Sequence, residues 1–163
     1  NQVTPLPAQP VALAYAATDI WLEIPKLGVK MSVVGVPQTE TGWNVTWLNK
    51  DAGWLERSAF PTWNGNSVIT GHVWDALNRP GPFAKLKDLK YGDLVKVHAF
   101  GQVYTFMVTE NSLIAPNDSA IVFKHADKPV LTLLTCEEYI ETSQTYASRR
   151  MVRVVLVSVV WEK

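Results

Sequence analysis

Apolar and polar residues alternate along this chain in short runs, with a period of two far more often than 3.6. "DIWLEIP" puts Ile20, Leu22 and Ile24 on one face and Asp19, Trp21 and Glu23 on the other. "VKMSVVGV" follows as a second run after a Gly turn, and "NSVITGH" is a third that ends in Gly71-His72. "GDLVKVHAF" and "QVYTFMVTE" are alternating runs joined by Gly101, a hairpin pattern. "KPVLTLLTC" and "RRMVRVVLVSVV" close the chain. About seven or eight strands at this spacing predict an all-β domain, either a barrel or a sandwich.

Helix signal is sparse. "GPFAKLKDL" predicts one helical turn after the "NRPG" break, and "VALAYAATDI" reads as a short helix or as an extended approach to the first strand. The opening "NQVTPLPAQP" is rich in proline and polar residues. Residues 1–17 are therefore expected to be a flexible arm or linker, and residues 18–163 the folded domain. The longest segment without strand signal inside that domain is "IAPNDSAIVFKHADKP", residues 114–129. A loop of that size in a compact domain is usually functional.

A chain of 163 residues is long enough for one domain with a full core, and 47% hydrophobic with 18% charged residues is ordinary for a globular protein. The formal net charge is zero, which argues against a general nucleic-acid or anionic-membrane surface, since both need a basic excess. A single cysteine excludes an intrachain disulfide and any multi-cysteine metal site. No stretch reaches the roughly 18 to 20 apolar residues of a spanning helix. The closest, "MVRVVLVSVV", is short and contains Arg153. The chain begins with Asn rather than Met and reads as processed or trimmed.

That single cysteine, Cys136, stands where a strand gives way to the polar stretch "EEYIETSQTYAS". A packing cysteine would sit within the run. A thiol becomes a strong nucleophile only as thiolate, which needs a base or a nearby cation. His98 lies inside an alternating run and reads as an ordinary strand histidine. His125 lies in the long loop and reads as solvated. His72 also stands at a strand end, after Gly71, which permits close backbone approach. The cations are Arg149, Arg150 and Arg153 at the start of the last strand, which the short intervening loop can return beside Cys136. By period-two phasing Arg149 and Arg153 share one face, while Arg150 shares the other with Val152, Val154 and Leu156. The face with the valines reads as the core side, so Arg149 is better placed to face a groove.

Histidine, cysteine and arginine at three strand ends, in that order, resemble the sortases. "TLLTC" is similar to that family's Thr-Leu-x-Thr-Cys motif, and "NSVITGHVW" to the strand that delivers its histidine. "PFAKLKDLKYGD" resembles its Phe-x-x-Leu segment, "DIWLEIPKLGVKMSVV" its first two strands, and "RRMVRVVLV" its last. The resemblance covers about residues 18 to 162. It implies a sortase-type closed β-barrel with short helices and a long substrate loop. It implies Cys136 as nucleophile, His72 as proton carrier and Arg149 as the arginine, with Arg150 its rival. Thr135 matches a threonine that helps to position substrate. Ala115, Pro116, Ile121, Val122 and Phe123 would supply the apolar wall for a sorting signal.

The implied reaction is cleavage of an LPXTG-like signal at Thr–Gly and transfer to an amine of the cell wall or of another surface protein. Hydrolysis at the same site is the alternative, as is a class C-like pilin polymerase. The opening has no Asp-Pro-aromatic lid motif, which favours a housekeeping-type or class D to F-like enzyme. No cofactor is implied. Some class A members bind calcium, but Glu110, Asp118 and Asp127 read here as solvated loop carboxylates. The partners would be the signal peptide and the acceptor amine, and not nucleic acid. The enzyme would face outward from a bacterial membrane, anchored upstream of Asn1. Trp43, Trp47, Trp54, Trp63 and Trp74 flank His72 in sequence and either wall the groove or pack the sheet.

Overall fold

The alternating runs become the staves of a closed barrel. In a computed structural model, which describes residues 15–40, 42–74, 79–140 and 145–162, the strands are β1 (Trp21–Ile24), β2 (Val29–Val36), β3 (Gln38–Thr39), β4 (Gly42–Trp43), β5 (Ala52–Leu55), β6 (Gly65–Thr70), β7 (Leu94–Ala99), β8 (Gln102–Ile114), β9 (Pro129–Ile140) and β10 (Thr145–Trp161). One short helix, α1 (Ser119–Val122), lies in the long loop between β8 and β9. Around the barrel the order is β1-β2-β5-β6-β9-β10-β8-β7, and β3 pairs with β4 apart from it. Closure settles the choice between barrel and sandwich, because a closed sheet pairs its own edges. The β2–β5 and β6–β9 pairs are parallel, and the other barrel pairs are antiparallel.

Local chemistry accounts for the connections. The β7–β8 turn places Phe100 at φ 57 and Gly101 at φ 72, both left-handed, as the two-residue turn matched to strand twist requires. The "GPFAKLKDL" stretch gives one turn of 3₁₀ helix at Leu86–Asp88, as the sequence pattern predicts. β5 escapes the pattern because "AGWL" is four residues with a glycine inside it. That glycine is required: a Cβ on Gly53 would lie 2.7 Å from Val36 Cγ2 and 2.9 Å from Leu48 Cδ1. "VALAYAATDI" supplies neither a helix nor a strand of its own in its described part. Ala16 makes an isolated bridge to Gly35, and Tyr15 donates its hydroxyl to Asn44 O at 2.7 Å.

Two apolar clusters explain why β6, β9 and β10 do not alternate cleanly. Inside the barrel lie Ile69, Leu131, Leu133, Val152 and Val154, packed with Leu22, Val97 and Phe106. Outside it lies a second cluster of Val68, Leu134 and Met151 with Val36, Leu48, Leu55, Ile114 and Val122. Strands covered on both faces read as continuous apolar runs rather than alternating ones. The phasing of the last strand is borne out, with Val152 and Val154 facing inward and Met151, between Arg149 and Arg153, facing outward. The outer wall of β6, β9 and β10 is roofed by the loops that carry the candidate site.

Candidate active site

Strand register brings the predicted positions together. β6 and β9 run parallel with Thr70 opposite Leu134, so His72 and Cys136 each stand two residues beyond that pair. β9 and β10 run antiparallel, and Arg149 is directly opposite Cys136. On its other side Arg149 is opposite Ile114, the last residue of β8. Three rungs thus follow one another along β9 and β10: Thr132 with Arg153, Leu134 with Met151, and Cys136 with Arg149. Burial of Leu134 and Met151 in the outer cluster places the middle rung on the outer wall.

Two cavities meet at the top rung. One, of about 250 Å³, is lined by Val45, Leu48, Thr70, Gly71, His72, Val73, Trp74, Leu134, Thr135 and Arg149. The other, of about 150 Å³, is lined mainly by apolar groups: Trp43, Leu55, Ile114, Pro116, Val122, Phe123 and Leu134, with Asn117, Asp118, Ser119 and Arg149. Leu134 and Arg149 belong to both. Arg149 therefore lies at the junction, and its Nε is buried with no hydrogen-bond partner among the described residues. A buried guanidinium N–H of this kind is costly to leave unpaired, so it is available to an acceptor that enters the groove. Arg150 is engaged elsewhere, its Nη1 donating to Asn111 Oδ1 at 3.2 Å.

His72 is held from three directions. Its Nε2 lies 2.8 Å from Val45 O. A carbonyl only accepts, so Nε2 carries a hydrogen and Nδ1 is left as the site that gains or loses a proton. The His72 carbonyl accepts from the Phe83 N–H at 3.1 Å, and the Val73 carbonyl from the Gly81 N–H at 2.7 Å. The approach is so close that a Cβ on Gly81 would lie 2.1 Å from His72 O. Below His72, the Phe83 ring packs on Gly71, where a Cβ would meet it at 2.9 Å. Thr135 is buried, and its Oγ1 donates to Gly71 O at 2.9 Å. It thus ties the strand carrying Cys136 to the turn carrying His72.

The loop 43–48, which supplies Val45 O, is itself anchored. Tyr15 Oη donates to Asn44 O and accepts from the Trp47 N–H at 3.3 Å. Burial pushes the Tyr15 phenol above its ordinary pKa, more than the Trp47 hydrogen bond lowers it. Trp43 Nε1 donates to Glu56 O at 2.9 Å, and its ring stacks on Phe123 with centroids 5.3 Å apart.

Of the predicted wall residues, Pro116, Val122 and Phe123 line the apolar cavity. Ile121 packs against the outer cluster without lining that cavity, and Ala115 is exposed. Trp43 lines it, an aromatic whose alternation gives no hint of its face, and Trp74 lines the other cavity. Val45 O had no sequence signal at all, since any residue offers a carbonyl. Of the remaining histidines, His98 stacks on Trp21 at 3.5 Å and its Nδ1 is 2.6 Å from Glu162 Oε1, while His125 pairs with Asp127 at 2.8 Å in the exposed loop. Asp118 caps α1 by accepting from the Ile121 N–H at 3.3 Å. Among the described residues no group of three or more His, Cys, Asp or Glu is placed to hold a metal, and no helix is long and apolar enough to cross a membrane.

Residues 22–157 match the family model of the sortase domain. Sortase D of Bacillus subtilis (strain 168) is 26% identical over 115 residues, covering 71% of this chain and 52% of that protein. Among solved structures, sortase C of Streptococcus pneumoniae is 28% identical with a TM-score of 0.69, covering 85% of this chain and 65% of the other. Sortase A of Corynebacterium diphtheriae superposes with a TM-score of 0.71 at 24% identity, over 85% of this chain and 60% of that one, a likeness of fold. The chain thus spans about half the length of the Bacillus relative (52%).

Proposed function

This chain belongs to the sortase family, and on that premise we propose that it is a cysteine transpeptidase that cuts an LPXTG-like sorting signal and joins the product to an amine. The observation that carries the reading is the junction at Arg149. One position on β10 is opposite Cys136 in register and borders both the apolar cavity and the cavity containing His72.

In this mechanism the Cys136 thiolate attacks the carbonyl carbon of the Thr–Gly amide. The C–O π electrons move to oxygen, and the Arg149 guanidinium donates to that developing oxyanion. Collapse breaks the C–N bond. His72, protonated at Nδ1, gives its proton to the departing glycine amine and leaves a thioester on Cys136. An incoming amine reaches the thioester from the His72 side. His72 Nδ1 takes its proton, a new amide forms and the thiolate leaves. The Val45 carbonyl keeps the Nε2–H of His72 occupied throughout, so one nitrogen orients the ring and the other moves the proton. The apolar cavity walled by Trp43, Val122 and Phe123 receives the leucine and proline of the signal. Thr135 acts by holding β9 to the turn that carries His72. The likeness to sortase D favours an anchoring enzyme of the class D kind, held at the outer face of the cell membrane by a segment upstream of Asn1.

The test is incubation with quenched LPXTG-type peptides, with and without glycine or diaminopimelate amines, and products read by mass spectrometry. Ligation to the amine that vanishes in Cys136→Ala supports the proposal. Cleavage that stays hydrolytic at saturating amine would move the assignment to a cysteine hydrolase.

A further inference from the structure

Below the catalytic rung, the lowest of the three rungs does a separate job. We infer that Arg153, with Thr132 and Asn66, forms a polar clamp that sets the affinity of the signal groove by fixing the end of α1. The inference rests on the reading of the apolar cavity as the signal site. A four-residue helix leaves its last carbonyls without partners inside it. Here they are gripped from the barrel wall. Arg153 Nη2 donates to Ile121 O at 2.6 Å, and Asn66 Nδ2 donates to Val122 O at 2.9 Å and to Lys124 O at 3.0 Å.

The donors come from neighbouring strands and are linked to one another. Thr132, wholly buried on β9, gives its single hydroxyl hydrogen to Asn66 Oδ1 at 2.6 Å. That bond fixes which way the Asn66 amide faces, so its NH₂ meets the two carbonyls. The same Thr132 oxygen accepts from Arg153 Nε at 3.3 Å. Glu110 lies 3.9 Å from Arg153 Nη1 and balances the charge at the solvent side. The residues gripped are consecutive with the groove wall: Val122 and Phe123 line the apolar cavity, and Phe123 carries the stack on Trp43. Arg153 shares the face of Arg149 yet acts on the loop rather than on the chemistry. It is a positioning residue for substrate.

The prediction separates binding from turnover. Arg153→Met keeps the stem and removes the donors. It should raise the KM for the signal peptide about tenfold, the worth of one lost hydrogen bond from a charged group, with kcat within twofold of wild type. Thr132→Val should shift KM the same way and Thr132→Ser should restore it. This pair serves where Arg153→Met fails to fold. A readout independent of catalysis is limited trypsin digestion followed by mass spectrometry. Cleavage after Lys124, the residue whose carbonyl Asn66 holds, should be faster in Arg153→Met and Thr132→Val than in wild type and Thr132→Ser. If the wild type processes no LPXTG-type peptide, the signal-site reading fails, while the digestion still tests the clamp. An unchanged KM, a fall confined to kcat, or unchanged digestion in these variants would overturn the inference.

Discussion

Gly81→Ala probes the packing that orients His72. A Cβ built on Gly81 lies 2.1 Å from His72 O, 2.6 Å from His72 C and 3.0 Å from His72 Cβ. Real Cβ contacts under 3.0 Å are essentially absent, so the backbone must yield by about 0.9 Å (3.0 less 2.1). The atoms opposed are backbone, not the end of a flexible side chain. A shift of that size takes the Phe83 N–H to His72 O bond, now 3.1 Å, out of hydrogen-bond range and strains the Gly81 N–H to Val73 O bond of 2.7 Å. Overpacking costs about 1–3 kcal/mol and each lost hydrogen bond about 1 kcal/mol, so the destabilisation is roughly 2–5 kcal/mol. For a domain of this size that is a fall in Tm of roughly 4–20 °C. In the proposed mechanism His72 carries the proton, and misplacing such a group by about 1 Å costs on the order of 100-fold in turnover. The groove wall is held by other elements, so the KM for signal peptide should stay within about twofold. The assay is urea unfolding alongside steady-state kinetics at a temperature where the variant remains folded. Wild-type stability together with wild-type kcat would refute the close approach on which the reasoning depends.

Thr135→Val removes the buried bond to Gly71 O and should cost about 1–3 kcal/mol in denaturant unfolding while lowering kcat, with Thr135→Ser restoring both. Tyr15→Phe releases Asn44 O and the Trp47 N–H, so loop 43–48 should hold Val45 O less firmly against His72. Expected is a several-fold drop in kcat at unchanged KM, on the order of one lost hydrogen bond, with a shifted His72 Nε2 resonance in NMR. At the far side of the barrel the Asp93 carboxyl is held below its usual range, first by its hydrogen bond from Lys26 at 2.8 Å and then by the Lys90 N–H at 2.7 Å. A depressed carboxyl stabilises the fold above its unfolded pKa, near 4, and the contribution is lost as pH falls through its folded value. Asp93→Asn should therefore lower Tm at pH 7, and the gap to wild type should close in acid.

What the sequence made legible follows from how each element is buried. β1, β2, β6, β7, β8, β9 and β10 each carry a run long enough to show its period. His72 lies just past the end of β6, but Cys136 and Arg149 are not at strand ends: β9 runs on to Ile140 and β10 begins at Thr145, through polar residues that carry no strand signal. β5 hides because its glycine is chosen by side chains outside the strand, those of Val36 and Leu48. The double arginine could be divided in principle by phasing. Met151, Val152 and Val154 report the faces, and the structure adds that Arg150 is engaged by Asn111. The wall was only partly legible, because Ala115 and Ile121 are as apolar in sequence as Val122 and Phe123. What separates them is the seat of α1, set by Arg153, Thr132 and Asn66 from three different strands. The partner of His72 was illegible for a simpler reason: it is a main-chain oxygen.

The central claim is that Cys136 carries the substrate as a thioester. Intact-mass analysis of acid-quenched enzyme, taken during turnover of an LPXTG-type peptide without added amine, tests it most directly. The account predicts an adduct equal in mass to the acyl half of the peptide, mapped to Cys136, discharged by hydroxylamine, slower to form in Arg149→Ala and absent in Cys136→Ala. Ligated product formed by Cys136→Ala, or an adduct mapped to any other residue, would contradict it.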